Sequence, residues 1–404
     1  MSKAVAMWRK DGTLQQIGMP SWLSNASLQT LMLAFEDAGF QIYAVGGCVR
    51  DTVLGRAVKD VDLSTDAPPD RTTQIIESLA TKDHPWKAVP TGVEHGTITA
   101  VARVGSGPYE ITTFRTDVET DGRHATVAFS HKIEDDAARR DFTINAFYAD
   151  RHGKVQDLVG GSADIAMQRV RFIGDPAARI KEDYLRILRF FRFTASHGNQ
   201  DDGIDADGLA ACAMHADGLR AISRERIGTE VSRIIMGANA APITGSMEQS
   251  GVLNRILPGA SVLTLARLID LERQSESELA TRLAALGCED IADRLRLPNV
   301  EAKKIGIVRS EAGKSTAPHE LGFRYGFDQA VQCLLLRWAS LLEPFDQMSL
   351  IDVELGAASE FPVQAADLMP ELSGKNLGDR LKHLEAAWLR SKFTMTKSEL
   401  LALS

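Results

Sequence analysis

The sequence predicts an α/β head followed by an all-α remainder. Between residues 25 and 157, four short apolar or alternating runs (QIYAV, VKDVDLST, GTITAVAR and YEITTFR) read as strands. Beyond about residue 160 strand signals nearly vanish, and helix-period segments such as EDYLRILRFFRF, RERIGTEVSRIIM and DQAVQCLLLRWASLL dominate. With 404 residues, 44% hydrophobic and 25% charged, the chain is long enough for two or three domains with cores of their own.

Taken in order, residues 1–24 form a lead-in with a turn near Pro20. NASLQTLMLAFEDAGF predicts a helix over 25–40, with Leu28, Leu31, Leu33 and Phe35 on its apolar face and Gly39 as its stop. QIYAV then reads as a buried strand ending in Gly46-Gly47, VKDVDLST as a second strand, and GTITAVAR and YEITTFR as two more across a GSGP turn. DLVGG marks the change of character, which divides the chain into a head (25–157), a helical neck (158–240) and a helical body and tail (241–404).

The net charge of −8 excludes a uniformly basic nucleic-acid coat, although a local basic cleft is compatible with it. Cys48, Cys212, Cys288 and Cys333 show no CxxC spacing, which argues against a zinc knuckle and for a reducing compartment. The first residues hold no apolar run of signal-peptide length, and CLLLRWASLL is broken by Arg337 and too short to span a bilayer. The expected location is cytoplasmic, with no membrane partner.

Chemistry concentrates in four segments. In GGCVRDTVLGRAVKDVDLST, Gly46 and Gly47 follow a strand and precede a short helix, so backbone N–H groups can approach a phosphate closely, and Arg50 can pair with that phosphate. Asp60 and Asp62, two apart on the predicted strand, project from one face. Their mutual repulsion is relieved by a divalent cation, and magnesium suits oxygen ligands that leave room for substrate phosphates. Glu110 in YEITTFR either completes that carboxylate set or is satisfied by an arginine such as Arg115. In RRDFTINAFYAD, adjacent Arg139 and Arg140 point to different sides of a helix, so that one can face a triphosphate while the other pairs elsewhere, for instance with Asp141. In EDYLRILRFFRF, Asp183 and Arg186 share a helix face, and Arg189 and Arg192 continue at the same spacing. Seven basic residues and three acids leave residues 169–192 at +4, a local positive stripe in an acidic chain.

GGCVRD, DVDLST, RRDFTINA and EDYLRILRFFRF, in this order, resemble the signature of the class II tRNA nucleotidyltransferase and bacterial poly(A) polymerase family, within the DNA polymerase beta nucleotidyltransferase superfamily. The resemblance is firm over about residues 40–240, and it implies a polymerase-beta-like nucleotidyltransferase head. Gly47 and Arg50, with Gly46 in the same turn, would bind the incoming nucleoside triphosphate, and Asp60 and Asp62 would hold the catalytic Mg2+; Glu110 stays the candidate third catalytic acid that its strand position offers. Arg140 would contact the nucleotide, and Asp183 and Arg186 would read its base with Arg189 and Arg192 nearby. Asp121, Gly122 and Arg123 resemble the element on the loop that switches from C to A addition. In the family the acidic pair is usually followed by proline, where Tyr184 stands here.

The expected activity is addition of C, C and A to the 3′ end of tRNA from CTP and ATP, with the helical half contacting tRNA and no role for DNA. Between residues 375 and 397, Lys375, Arg380, Lys382, Arg390, Lys392 and Lys397 outnumber Asp379 and Glu385 as candidates for phosphate contact. The competing expectations are a poly(A) polymerase, although the basic aromatic stretch usual there is absent, and a catalytically silent RNA-binding protein.

Overall fold

The computed structural model describes residues 6–81, 85–102, 107–120, 125–199 and 203–403. The chain divides into two compact units. The first comprises Met1–Glu230, Gly237–Asn239 and Gln249–Arg255, and the second the remainder to Ser404.

The first unit opens with a small antiparallel pair, β1 (Met7–Trp8) and β2 (Leu14–Gln16), inside the segment expected to be a plain lead-in. Helix α1 (Ala26–Asp37) follows, its first turn capped by the Asn25 side chain, which accepts from the backbone N–H groups of Ser27 and Leu28. It buries Leu28, Leu31, Met32 and Phe35, an i, i+3, i+4, i+7 stripe that leaves Leu33 facing solvent.

Next come β3 (Ile42–Val45), α2 (Gly47–Val53), β4 (Asp62–Thr65), α3 (Pro69–Ser78), β5 (Trp86–Gly92), β6 (Thr97–Ala102), β7 (Tyr109–Thr113), β8 (Arg115–Thr120), β9 (Ala125–Phe129), α4 (Ile133–Ala138), β10 (Phe147–Ala149) and β11 (Val155–Asp157). Seven strands form one mixed sheet in the order β11-β10-β3-β4-β7-β6-β5, while β8 and β9 pair separately. Only β4 and β7 run parallel in the large sheet. The chain between them crosses over through α3 and the β5–β6 hairpin, as a parallel pairing requires.

Helices α5 (Ser162–Ala166), α6 (Pro176–Glu182), α7 (Leu185–His197) and α8 (Ala206–Met214) complete this unit, with the first part of α9 (Arg224–Ile235). An aromatic cluster joins α7 to the strip after α4. Phe142 lies 4.9 Å from Phe172 and 5.3 Å from Phe193 between ring centroids, and Phe172 stacks 5.3 Å from Phe190. Such pairs add about 0.5–1.5 kcal/mol each beyond area burial, so α7 is anchored to the head by its Phe face.

Among its described residues the second unit contains helices joined by loops and no strand. Its principal members are α10 (Ala240–Gln249), α11 (Val252–Ile256) at its boundary, α12 (Leu263–Leu271), α13 (Leu279–Ala285), α14 (Ile291–Arg294), α15 (Asn299–Ala312), α16 (Pro318–Tyr325), α17 (Phe327–Leu341), α18 (Gln347–Ala357), α19 (Gly374–Arg390) and α20 (Lys397–Leu401). The tail has its own core of Val363, Leu368, Leu384, Trp388, Leu389 and Leu400. No helix among the described residues is long and apolar enough to cross a membrane. All four cysteines are free and buried.

Candidate active site

The site is assembled at one end of β3, β4 and β7. Strand register pairs Val45 with Asp62, and Asp62 in turn with Glu110 on its parallel neighbour. Because Val45 is the last residue of β3, Asp62 stands next to the turn at Gly46 and Gly47. Only Asp62 belongs to β4; Asp60 lies two residues before it, so the expectation that both acids ride one strand is corrected. Lys59 and Asp60 are exposed, and there the apolar alternation that would hold a strand against the core is missing. The three acids still interact. Partial desolvation and then the Glu110 carboxylate raise the pKa of Asp62, Arg140 opposes them, and Asp60 adds to the rise. Among the described residues no three His, Cys, Asp or Glu side chains close into a metal cage. The donor set at this edge is oxygen only, which fits a hard divalent cation whose remaining ligands come from elsewhere.

Gly46 has a φ of +73°, and a Cβ there would sit 3.4 Å from the Asn145 carbonyl oxygen and 3.6 Å from Arg140 Nη1. The turn therefore needs glycine for its left-handed φ, whereas the space around it would admit a Cβ in ordinary contact. Three residues past Gly47, Arg50 is buried in α2. Its Nη1 donates to Asn145 Oδ1 at 2.6 Å, its Nε donates to Asp51 Oδ1 at 2.9 Å, and its guanidinium carbon lies 5.3 Å from the Phe193 ring centroid.

The two arginines of the RRD segment follow α4 rather than starting a helix, and both turn back onto Asp136. Arg139 docks with Nε at 2.8 Å and Nη2 at 2.6 Å, and Arg140 with Nη2 at 3.0 Å. Tyr148 Oη donates to the same carboxylate at 2.7 Å and accepts from Arg140 Nε at 2.9 Å, while Ser64 Oγ donates at 3.1 Å. Burial alone would raise the pKa of Asp136, but Arg140 and then Arg139 outweigh it and hold the carboxyl well below its ordinary range. Arg140 is thereby fixed beside Gly46 and close enough to act on Asp62. Asp141 pairs with neither neighbour: its Oδ2 receives Arg189 Nε at 2.8 Å.

The expected single helix over 182–193 is broken. Helix α6 ends at Glu182, Asp183 is extended, and α7 begins at Leu185. The Asp183 Oδ1 accepts from Leu185 N at 3.0 Å, the capping role that short acids favour over a helical interior. Tyr184 occupies the break, its ring packed over Gly218 so closely that any Cβ there would fall 2.0 Å from the ring. Asp183 Oδ2 meets Arg226 Nη2 at 2.8 Å, Arg186 Nη1 meets Glu182 at 2.5 Å, and Arg192 Nε meets Glu230 at 2.5 Å. The positive stripe is thus largely paired off, mostly by acids outside it: Arg169 and Arg171 both close on the buried Asp164, and Arg189 and Arg192 on Asp141 and Glu230.

Gly46, Gly47, Arg50, Asp62, Glu110 and Arg140 are therefore brought together, with Arg189 tied to the same group through Asp141. Asp121, Gly122 and Arg123 lie outside the described residues, between β8 and β9. Sequence reasoning missed Asp136, Asn145, Tyr148, Arg226 and Glu230. For Asp136 a signal was present, since it precedes Arg139 and Arg140 by three and four residues.

The chain matches the family model described as the poly A polymerase head domain over residues 42–171, and the one described as the probable RNA and SrmB-binding site of polymerase A over residues 203–263. Among curated relatives, the CCA tRNA nucleotidyltransferase 1, mitochondrial, of Danio rerio is 32% identical, with 91% of this chain and 88% of that protein covered. The CCA-adding enzyme of Streptococcus sanguinis is 34% identical, with 87% and 89% covered. Among solved structures, the Bacillus stearothermophilus CCA-adding enzyme in complex with CTP superposes with a TM-score of 0.72 at 25% identity, covering 90% of this chain and 92% of that one. The Thermotoga maritima CCA-adding enzyme complexed with tRNA shares the fold, with a TM-score of 0.69 at 19% identity over 94% and 95% of the two chains.

Proposed function

The chain belongs to the CCA-adding tRNA nucleotidyltransferase family, and on that premise we propose that it rebuilds the 3′ CCA end of tRNA. It transfers CMP twice and AMP once from CTP and ATP, releases pyrophosphate, and uses no nucleic-acid template. The observation that carries this reading is the strand register, which sets Asp62 between the Gly46–Gly47 turn and Glu110 with Arg140 beside it.

The family works with a divalent metal ion, and Mg2+ is the ion proposed here. Asp60 and Asp62 would hold it, and when bound it would supply neutralisation of the triphosphate charge for attack of the RNA 3′-hydroxyl on the α-phosphorus. Glu110 is the third acid of the set. The Gly46–Gly47 turn lets the backbone approach the triphosphate, and Arg50 and Arg140 bind its oxygens. Asp183 accepts from the exocyclic amino group shared by cytosine and adenine, and Arg186 donates to their ring acceptor. Uracil and guanine offer a carbonyl where Asp183 needs a donor, and each unpaired buried polar group costs about 1–3 kcal/mol, roughly tenfold or more in rejection. Arg189 and Arg192 extend this face, and Asp121, Gly122 and Arg123 form the element that switches from C to A. The neck (158–240) carries base reading and the body and tail (241–404) bind tRNA, supported by the basic residues between 375 and 397. A cytoplasmic location accords with four unpaired cysteines, and cell fractionation tests it against the mitochondrial setting in the zebrafish relative's name.

The experiment is incubation with a tRNA lacking CCA, both nucleotides and MgCl2, followed by sequencing of the 3′ ends. Addition of CCA and then arrest is expected. A long A tail without C makes the protein a poly(A) polymerase, and unchanged ends make it a silent RNA-binding protein; either overturns the proposal.

A further inference from the structure

We infer that Asn145, acting with Asp141 and Phe193, is a positioning residue that couples the arginine on the triphosphate side of the site, Arg50, to those on the base side, Arg189 and Arg192. The inference rests on the nucleotide site proposed above.

Asn145 is buried between two charged groups of opposite sign. Its Oδ1 accepts from Arg50 Nη1 at 2.6 Å and its Nδ2 donates to Asp141 Oδ1 at 3.3 Å. The amide orientation is dictated by chemistry, because a guanidinium only donates and a carboxylate only accepts. Asp141, itself buried, passes the link on: its Oδ2 receives Arg189 Nε at 2.8 Å and Nη2 at 2.6 Å. Burial opposes the charge on Asp141, but Arg189, together with hydrogen bonds from Asn145 and the Phe142 N–H, lowers the carboxyl pKa, so the relay ends on an ionised acid.

A second tether runs through one ring. The guanidinium carbons of Arg50, Arg189 and Arg192 lie 5.3, 5.5 and 4.1 Å from the Phe193 centroid. Three like charges around one ring repel unless something holds them, and the aromatic quadrupole does so together with Asp51, Asp141 and Glu230. Arg50 and Arg189 thus share two supports, the amide–carboxylate relay and the ring. A displacement of either is felt by the other, so triphosphate placement and base placement are linked. Only a neutral side chain that donates and accepts fits at 145. Leucine removes both hydrogen bonds while keeping the same branched outline of heavy atoms.

The test uses the full chain and trimmed tRNA, with circular dichroism and thermal melting to select folded variants. Asn145→Leu is expected to raise KM for both CTP and ATP about tenfold, to change kcat less than threefold, and to raise UTP incorporation relative to CTP. Combined with Arg189→Lys, its effect on KM should be at least threefold smaller than the product of the single effects, because both substitutions cut the same relay. Phe193→Leu carries the same measurement if Asn145→Leu does not fold. Unchanged KM in the folded variant, or independent multiplication with Arg189→Lys, overturns the coupling. Arg189→Ala separates the two readings. If it raises KM while Asn145→Leu does not, only the coupling fails. If it leaves KM for both nucleotides unchanged, the nucleotide-site assignment fails with it.

Discussion

Asp136→Asn is the substitution for which the structure makes the sharpest demand. The carboxylate is fully buried and receives two guanidiniums, a phenol and a hydroxyl within 2.6–3.1 Å for its closest contacts. At about 3 Å and an effective dielectric near 20, each ion pair gains about 5 kcal/mol of Coulomb energy, from which several kcal/mol of desolvation must be subtracted. Removing one partner of such a pair costs about 3–5 kcal/mol. Asparagine keeps the shape and one acceptor but turns an NH2 toward donors, so a loss of about 3 kcal/mol is expected. For a unit of this size that is a fall of roughly 6–12 °C in melting temperature. The sign of the pH dependence follows from the lowered pKa. The Asp136 contribution is fully present above the ordinary aspartate value of 3.8 and is lost as pH falls from there toward the folded value. Calorimetry should show a constant gap between wild type and variant from about pH 8 to about pH 5, closing in stronger acid. KM for CTP should also rise, because Arg140 loses its anchor. A gap under about 2 °C at neutral pH, smaller than 1 kcal/mol is worth in a unit this size, would refute the account of this cluster.

Four further perturbations have expected outcomes. Asp62→Ala should lower CCA addition by at least about 10³-fold while leaving the circular dichroism spectrum intact, and EDTA should abolish wild-type activity until Mg2+ is restored. Gly46→Ala should cost about 1–2 kcal/mol in urea unfolding, since a left-handed φ strains any L-residue, and should weaken nucleotide binding measured by calorimetric titration. Arg226→Ala frees Asp183 Oδ2 from its 2.8 Å partner, so the ratio of UTP to CTP incorporation should change more than overall stability.

Much of the head was legible because its strands are apolar runs bounded by turn residues, as QIYAV and YEITTFR are. Short strands such as β10 and β11 gave no pattern, since three residues show neither period. Gly46, Asp60, Asp62 and Glu110 could be singled out from spacing alone. The pairings behind RRD could not. Asp141 is the nearest acid to Arg140, but the fold sends it to Arg189, 48 residues away, and gives Arg140 to Asp136 one helical turn earlier. Helix periodicity also ran through Asp183, where the backbone breaks and the carboxylate caps α7. Long-range partners such as Arg226 and Glu230 leave no trace in local pattern, because tertiary packing alone brings them to α7.

The central claim is that protein side chains, with no template strand, choose the base of a metal-bound triphosphate. Equilibrium binding of the four nucleoside triphosphates to the tRNA-free protein in MgCl2 tests it most directly. CTP and ATP should bind comparably and UTP and GTP roughly tenfold or more weakly, with the difference erased in Asp183→Ala. Equal affinity for all four in the wild type would contradict it.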